Sequence, residues 1–193
     1  MMKTGLFFGS FNPVHIGHMA LANYFVEYSD LSQVWFVVSP HNPLKNKNSL
    51  LNDQLRLDMV ELAIQKDERF RVCDIEFRMP RPSFTIDTLT YLSEKHPKRE
   101  FILLMGADGL MSFHKWKNHT ELTKRYHRYV YPRNNIDPAG FAEHKNITFL
   151  KDAPQIGISS SFIRSALKEG KDVRYFLNEK VFEFIDKQSL YKK

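Results

Sequence analysis

The feature that most constrains this chain is the alternation of short apolar runs with longer stretches of helical period. Leu6-Phe7-Phe8, Val34-Trp35-Phe36-Val37-Val38, Phe101-Ile102-Leu103-Leu104-Met105 and Tyr129-Val130-Tyr131 are continuous apolar runs, as strands covered on both faces are. Between them His18, Leu21, Ala22 and Phe25 recur at helical spacing, as do Leu55, Met59, Leu62 and Ala63, and then Ile86, Leu89 and Leu92. Strand followed by helix, repeated, predicts βαβ units and a doubly wound, mostly parallel sheet flanked by helices. Arg71-Val72-Cys73-Asp74-Ile75-Glu76-Phe77 alternates and is expected at a sheet edge; Ile147-Thr148-Phe149-Leu150 offers a further strand, making about six. From Ile158 the pattern changes to a serine cluster, a helix ending near Gly170 and a second stripe of Val181, Phe182, Phe184 and Ile185. These C-terminal helices are expected to pack on the sheet.

At 193 residues the chain suits one domain, read here as residues 1–193 with a C-terminal helical portion over about 158–193. Lys and Arg number 28 against 22 Asp and Glu, and the resulting +6 points to anionic partners: nucleotides, phosphates or nucleic acid. The basic residues are scattered and no aromatic RNA-binding motif occurs, so nucleic acid is not the expected partner. A single cysteine, Cys73, excludes an internal disulfide framework and a Cys-rich zinc site, and suits a reducing cytosol. No run reaches the roughly 18 apolar residues of a membrane span, and the apolar stretch near the N-terminus is broken too early for a secretory core. A cytoplasmic protein without a membrane partner is expected, with homo-oligomerisation left open.

The most informative stretch is Gly9-Ser10-Phe11-Asn12-Pro13-Val14-His15-Ile16-Gly17-His18, directly after the first strand and opening the first helix. Parallel α/β sheets bind ligands at that place. Gly9 lets the backbone pass close to a ligand, and the free N–H groups at the helix start offer an anion site. His15 and His18 lie one turn apart on one face, so both can reach the same phosphate. His18 also falls on the Leu21/Phe25 stripe, where packing alone would account for it. A helix N-terminus disfavours imidazolium and a bound triphosphate favours it, which leaves the protonation state open. Neither G-x-x-x-x-G-K-[ST] nor G-x-G-x-x-G occurs, so phosphate binding falls to histidines and helix ends.

On these residues the chain resembles the nucleotidyltransferase superfamily. The run just described is similar to its HxGH signature, and Ile158-Ser159-Ser160-Ser161-Phe162-Ile163-Arg164 is similar to its I-S-S-x-x-I-R signature. The second run makes physical sense as a serine-capped helix start with Arg164 following as a cationic fork for phosphate oxygens; by itself it would also suit an ordinary cap and a surface arginine. Within the superfamily the chain resembles the bacterial nicotinate-nucleotide adenylyltransferases over nearly its whole length. Glu76 through Leu89 is similar to that family's E-x-x-R-x-x-P-S-[YF]-T-[IV]-D-T-L run, Gly106-Ala107-Asp108 with Trp116-Lys117 to its G-x-D…W segment, and Arg133 to its arginine after the fifth strand.

The resemblance implies a Rossmann-like fold and transfer of AMP from ATP to nicotinate mononucleotide, giving nicotinate adenine dinucleotide and pyrophosphate. It implies His15, His18 and Arg164 as catalytic, joined at ATP by Gly9, Ser10, Phe11, Lys45, Gly106, Asp108, Ile158, Ser159, Ser160 and Ser161. Ser83, Phe84, Thr85, Trp116 and Arg133 would meet the nicotinate nucleotide. Mg²⁺ should accompany ATP, held by phosphate oxygens and water, with no dedicated metal cage in the protein. Trp116 can stack on a pyridine ring, residues 83–85 open a helix whose N–H groups can hold a carboxylate, and Asp108 can accept ribose hydroxyls. As plain structure, Trp116 would be core, and Thr85 and Asp108 caps. The chain departs from the family in having Asn12 for Asp and Asn42-Pro43-Leu44-Lys45 for P-P-H-K, with His41 nearby. Two rival readings follow. A related transferase using nicotinamide mononucleotide, phosphopantetheine or an alcohol phosphate would share both phosphate motifs, and a non-catalytic nucleic-acid-binding module would use the positive charge.

Overall fold

The computed structural model describes residues 1–40, 50–133, 136 and 145–192. Its strands are β1 (Met2–Gly9), β2 (Gln33–Val38), β3 (Phe70–Cys73), β4 (Arg99–Gly106), β5 (Arg128–Tyr131) and β6 (Ile147–Phe149). The helices are α1 (Ile16–Glu27), α2 (Asp53–Ile64), α3 (Thr85–Lys95), α4 (Ala107–Met111), α5 (His119–Arg125), α6 (Ser160–Lys168) and α7 (Glu179–Lys187). All pairings are parallel, in the order β3-β2-β1-β4-β5-β6. The chain winds outward from β1 to β3, crosses back to β4 beside β1, and winds outward again. This is the doubly wound, Rossmann-like α/β fold, and the direction reverses between β1 and β4, which opens a crevice at their C-terminal ends.

The continuous apolar runs follow from covering both faces. Phe7, Phe36, Leu104 and Tyr129 belong to one core with α1, α2, α6 and α7; Leu6, Trp35, Leu103 and Val130 belong to the other with α3, α4 and α5. The residues of α6 and α7 that close the first core include Ile163, Leu167, Val181 and Ile185, all under a tenth exposed.

Two expectations are corrected. The alternating run 71–77 does not continue as strand: β3 stops at Cys73, the last residue in register with β2, and Ile75–Arg78 forms a 3-10 turn that carries Ile75 and Glu76 inward. The buried face of α2 is Arg56, Leu57, Met59, Val60, Ala63 and Ile64; Leu55 and Leu62 are only half-buried. The helix is rotated from the expected stripe so that an arginine enters the core. No helix among the described residues is long and apolar enough to cross a membrane.

Candidate active site

The loop after β1 carries the first site. Phe11 has φ 45°, a left-handed conformation uncommon for a bulky side chain. Its ring holds it there: 2% exposed, it meets Phe7 edge-on at 5.9 Å, Phe36 at 5.5 Å and His18 at 5.1 Å. His15 is the N-cap of α1, and its ring lies 3.7 Å from that of His18, centroid to centroid. The His15 backbone N–H donates to His18 Nδ1 at 3.2 Å. That bond assigns the ring proton of His18 to Nε2, which makes Nε2–H the donor. Gly17 permits the arrangement, since a Cβ there would stand 3.0 Å from His15 Nδ1. Burial, then the charge of Arg133, pulls the His15 pKa down to about 4, so the ring is neutral near pH 7 before a ligand arrives.

The second signature arrives on α6 and is tied to the same loop. Ser159 is the N-cap, accepting from Phe162 N–H at 3.1 Å. Ser160 Oγ–H donates to the Pro13 carbonyl at 2.8 Å, and Arg164 donates to the Asn12 carbonyl at 2.8 Å and to Ser161 Oγ at 3.2 Å. The two runs face each other across a hollow of about 620 Å³ lined by Gly9, Ser10, Phe11, His15, His18, Ile158, Ser159, Ser160, Ser161, Arg164 and Arg133. The helix-start N–H groups and the guanidinium make one wall electropositive, and the paired imidazoles, His15 neutral, form the other. Lys45, and His41 beside it, lie outside the described residues.

A second hollow, about 490 Å³, adjoins the first across Phe7, Gly9, Ser10, Tyr131 and Arg133. Its lining includes Glu76, Ser83, Phe84, Thr85, Gly106, Asp108, Trp116 and Lys117. Here the expectations need sorting. Gly106 and Asp108, grouped above with ATP, line this hollow and not the first, because β4 leads to the opposite face of the sheet from α6. Asp108 is not a cap; Gly106 is the N-cap of α4, and the Asp108 carboxylate sits in the first turn, 3.6 Å from Arg133 Nε. A Cβ on Gly106 would lie 2.5 Å from Asp108 Oδ1, so glycine makes room for that carboxylate. Ser83 turns its hydroxyl away, donating to Glu76 Oε2 at 2.9 Å. Phe84, not Thr85, is the N-cap of α3, and its side chain makes no cap bond. Trp116 serves both readings: half-buried against Phe113 at 5.4 Å, it still lines the hollow, and its Nε1–H has no hydrogen-bond partner among the described residues.

Sequence reasoning missed Arg56, which is fully buried. Its guanidinium donates to the carbonyls of Ser10 (2.6 Å), Ser39 (2.7 Å), Leu51 (3.1 Å) and Pro40 (3.3 Å), and pairs with Asp53 at 2.5 Å. It thereby joins the loops after β1 and β2, and burial lowers its pKa from the usual arginine value. The available signal was its spacing: position 56 shares a helix face with Val60 and Ala63. Asn12 was noticed only as a departure. In the structure its Oδ1 accepts from Leu51 N–H at 3.3 Å and from Tyr191 O–H at 2.8 Å, which ties the loop to the last residues of the fold.

With the geometry in place, the comparisons are specific. The cytidylyltransferase-like family model matches residues 6–166. A probable nicotinate-nucleotide adenylyltransferase of Flavobacterium johnsoniae is 47% identical over 194 residues, with 100% of both chains covered. One from Porphyromonas gingivalis is 50% identical over 176 residues, covering 91% of this chain and 89% of its own. In fold, the chain is similar to the Plasmodium falciparum nicotinic acid mononucleotide adenylyltransferase complexed with NaAD, at a TM-score of 0.83 and 19% identity over 99% of this chain and 98% of that one. Fold, motifs and full-length identity agree: the chain belongs to the cytidylyltransferase-like family and, within it, to the nicotinate-nucleotide adenylyltransferases.

Proposed function

We infer that this enzyme transfers AMP from ATP to nicotinate mononucleotide in NAD biosynthesis, releasing pyrophosphate and nicotinate adenine dinucleotide. The observation that carries the reading is the adjacency of two unlike hollows. One is walled by paired histidines and the Ser159–Arg164 helix start, the other by an aromatic ring and an uncapped helix N-terminus. A triphosphate suits the first and a pyridine carboxylate the second.

A phosphate oxygen of the acceptor nucleotide attacks the α-phosphorus of ATP; the bond to the α–β bridging oxygen breaks, and pyrophosphate leaves with that electron pair. No proton need be taken from the attacking dianion, so the protein's task is to position the reactants and to stabilise charge. His18, donating from Nε2–H, is assigned to the α-phosphate, where charge grows in the transition state. His15, neutral when the site is empty, gains a favourable environment for a proton beside the triphosphate. Arg164 and the Ser159–Ser161 helix start hold the β- and γ-phosphates, with Lys45 assisting. Arg133, in the wall common to both hollows, suits the phosphate that bridges them. Trp116 supports the pyridine ring and Asp108 takes ribose hydroxyls.

The substrate is taken as MgATP. Such an ion would keep phosphate and water oxygens as its ligands. Bound with ATP, it would neutralise charge on the triphosphate.

Pyrophosphate release from ATP should be measured with nicotinate mononucleotide, nicotinamide mononucleotide and phosphopantetheine side by side. Release is expected to be fastest with the first. Equal or faster release with either of the others would replace the acceptor, and release with none would favour the nucleic-acid-binding reading.

A further inference from the structure

The carboxylate of Glu76 takes part in none of these steps, yet it is 3% exposed and lines the second hollow. A buried carboxylate needs hydrogen-bond donors, and Glu76 has two. Ser83 Oγ–H donates to Oε2 at 2.9 Å and Thr88 Oγ1–H to Oε1 at 2.8 Å. Each carboxyl oxygen thus accepts from one hydroxyl. Among the described residues it has no ion-pair partner.

The positions of the two hydroxyls matter. Ser83 stands just before the N-cap Phe84, and Thr88 lies one turn into α3. One carboxylate thus grips the helix start from both ends. Phe84 at the N-cap carries no side-chain acceptor, so the first turn has no side-chain cap bond, and Phe84 and Thr85 remain in the wall of the hollow. N–H groups held in this way donate well to a ligand carboxylate and less well to a carboxamide, because the amide nitrogen brings a donor to donors.

We propose that Glu76 is a positioning residue for acceptor selection, holding the first turn of α3 so that the enzyme favours the pyridine acid over its amide. The proposal rests on the reading of the second hollow as the nicotinate site.

The test compares wild type with Glu76→Ala, Glu76→Gln and Ser83→Ala, with circular dichroism confirming that each variant is folded. KM and kcat are measured for nicotinate mononucleotide, nicotinamide mononucleotide and ATP. Glu76→Ala should raise KM for the acid about tenfold, a loss matching one charge-assisted hydrogen bond. KM for ATP should stay within about twofold, kcat should be largely kept, and the preference for acid over amide should fall. Glu76→Gln, which can accept from one hydroxyl and donate to the other, should restore most of the preference. Ser83→Ala leaves the carboxylate in place and should show the same split more weakly, which keeps the idea testable if Glu76→Ala fails to fold. An unchanged acid preference in Glu76→Ala, or equal rises in both KM values, would overturn the proposal. Absence of acid preference in the wild type itself would instead overturn the reading on which it rests.

Discussion

His15 and His18 sit one turn apart on the sequence, but their roles separate through their surroundings. His18 is fixed by the His15 backbone N–H on Nδ1 and by the edge of Phe11, so it presents Nε2–H without needing a charge. His18→Ala is therefore expected to lower kcat by about 10²–10³ with little change in KM for ATP, since the lost bond is made to charge that develops in the transition state. Steady-state kinetics check this; an unchanged kcat removes the role. His15 is the pH-sensitive member. Its pKa is about 4 in the folded chain, against an ordinary histidine value of 6.5. As pH falls between those values the unfolded chain takes up the proton first, so stability is lost on acidification, approaching about 3 kcal/mol once pH drops below the folded value. Denaturant unfolding at pH 7 and pH 4.5 should show a smaller acid loss for His15→Gln than for wild type. Bound triphosphate favours the imidazolium, so ATP binding near pH 5 should take up protons. Calorimetry in buffers of different ionisation enthalpy reads that uptake directly.

At the scale of elements, the site is made by helix starts with different caps. α6 is capped by a serine side chain, whereas the N-cap residues of α1 and α3, His15 and Phe84, make no side-chain cap bond, the His15 ring lying against that of His18. The three starts meet the crevice where the winding of the sheet reverses, because the chain enters α1 and α3 from the C-terminal ends of β1 and β3. Ser159→Ala removes the acceptor of the Phe162 N–H and should destabilise the fold by about 1 kcal/mol, a drop in Tm of roughly 2–4 °C. KM for ATP should rise with it, since the same turn bears Ser160 and Arg164. A thermal melt paired with ATP saturation curves tests both; a lowered Tm with unaltered KM for ATP would separate α6 from the nucleotide.

At the scale of the molecule, we propose that residues 1–193 form one cooperative unit. The C-terminal helices share a core with the central strands, and Ser160, Arg164 and Tyr191 bond to the loop after β1. Thermal unfolding followed by circular dichroism and by tryptophan fluorescence should then give coincident single transitions, and a chain cut before α7 should lose activity along with stability. Two separate transitions would divide the domain. The sequence by itself determined the alternation of strand and helix, the parallel βαβ character of the sheet and the two helix-start motifs, because periodicity and helix-start chemistry are local and are written within about ten residues of chain. Tertiary structure alone decided what each residue faces. It brought Ser160 against Pro13, 147 positions away, placed Gly106 and Asp108 in the hollow that Trp116 lines, buried Arg56 beneath two loops, and ended β3 early enough to turn Glu76 inward. Each of these outcomes depends on which groups satisfy one another once water is excluded. That is set largely by partners far away in sequence, which local pattern encodes only in part.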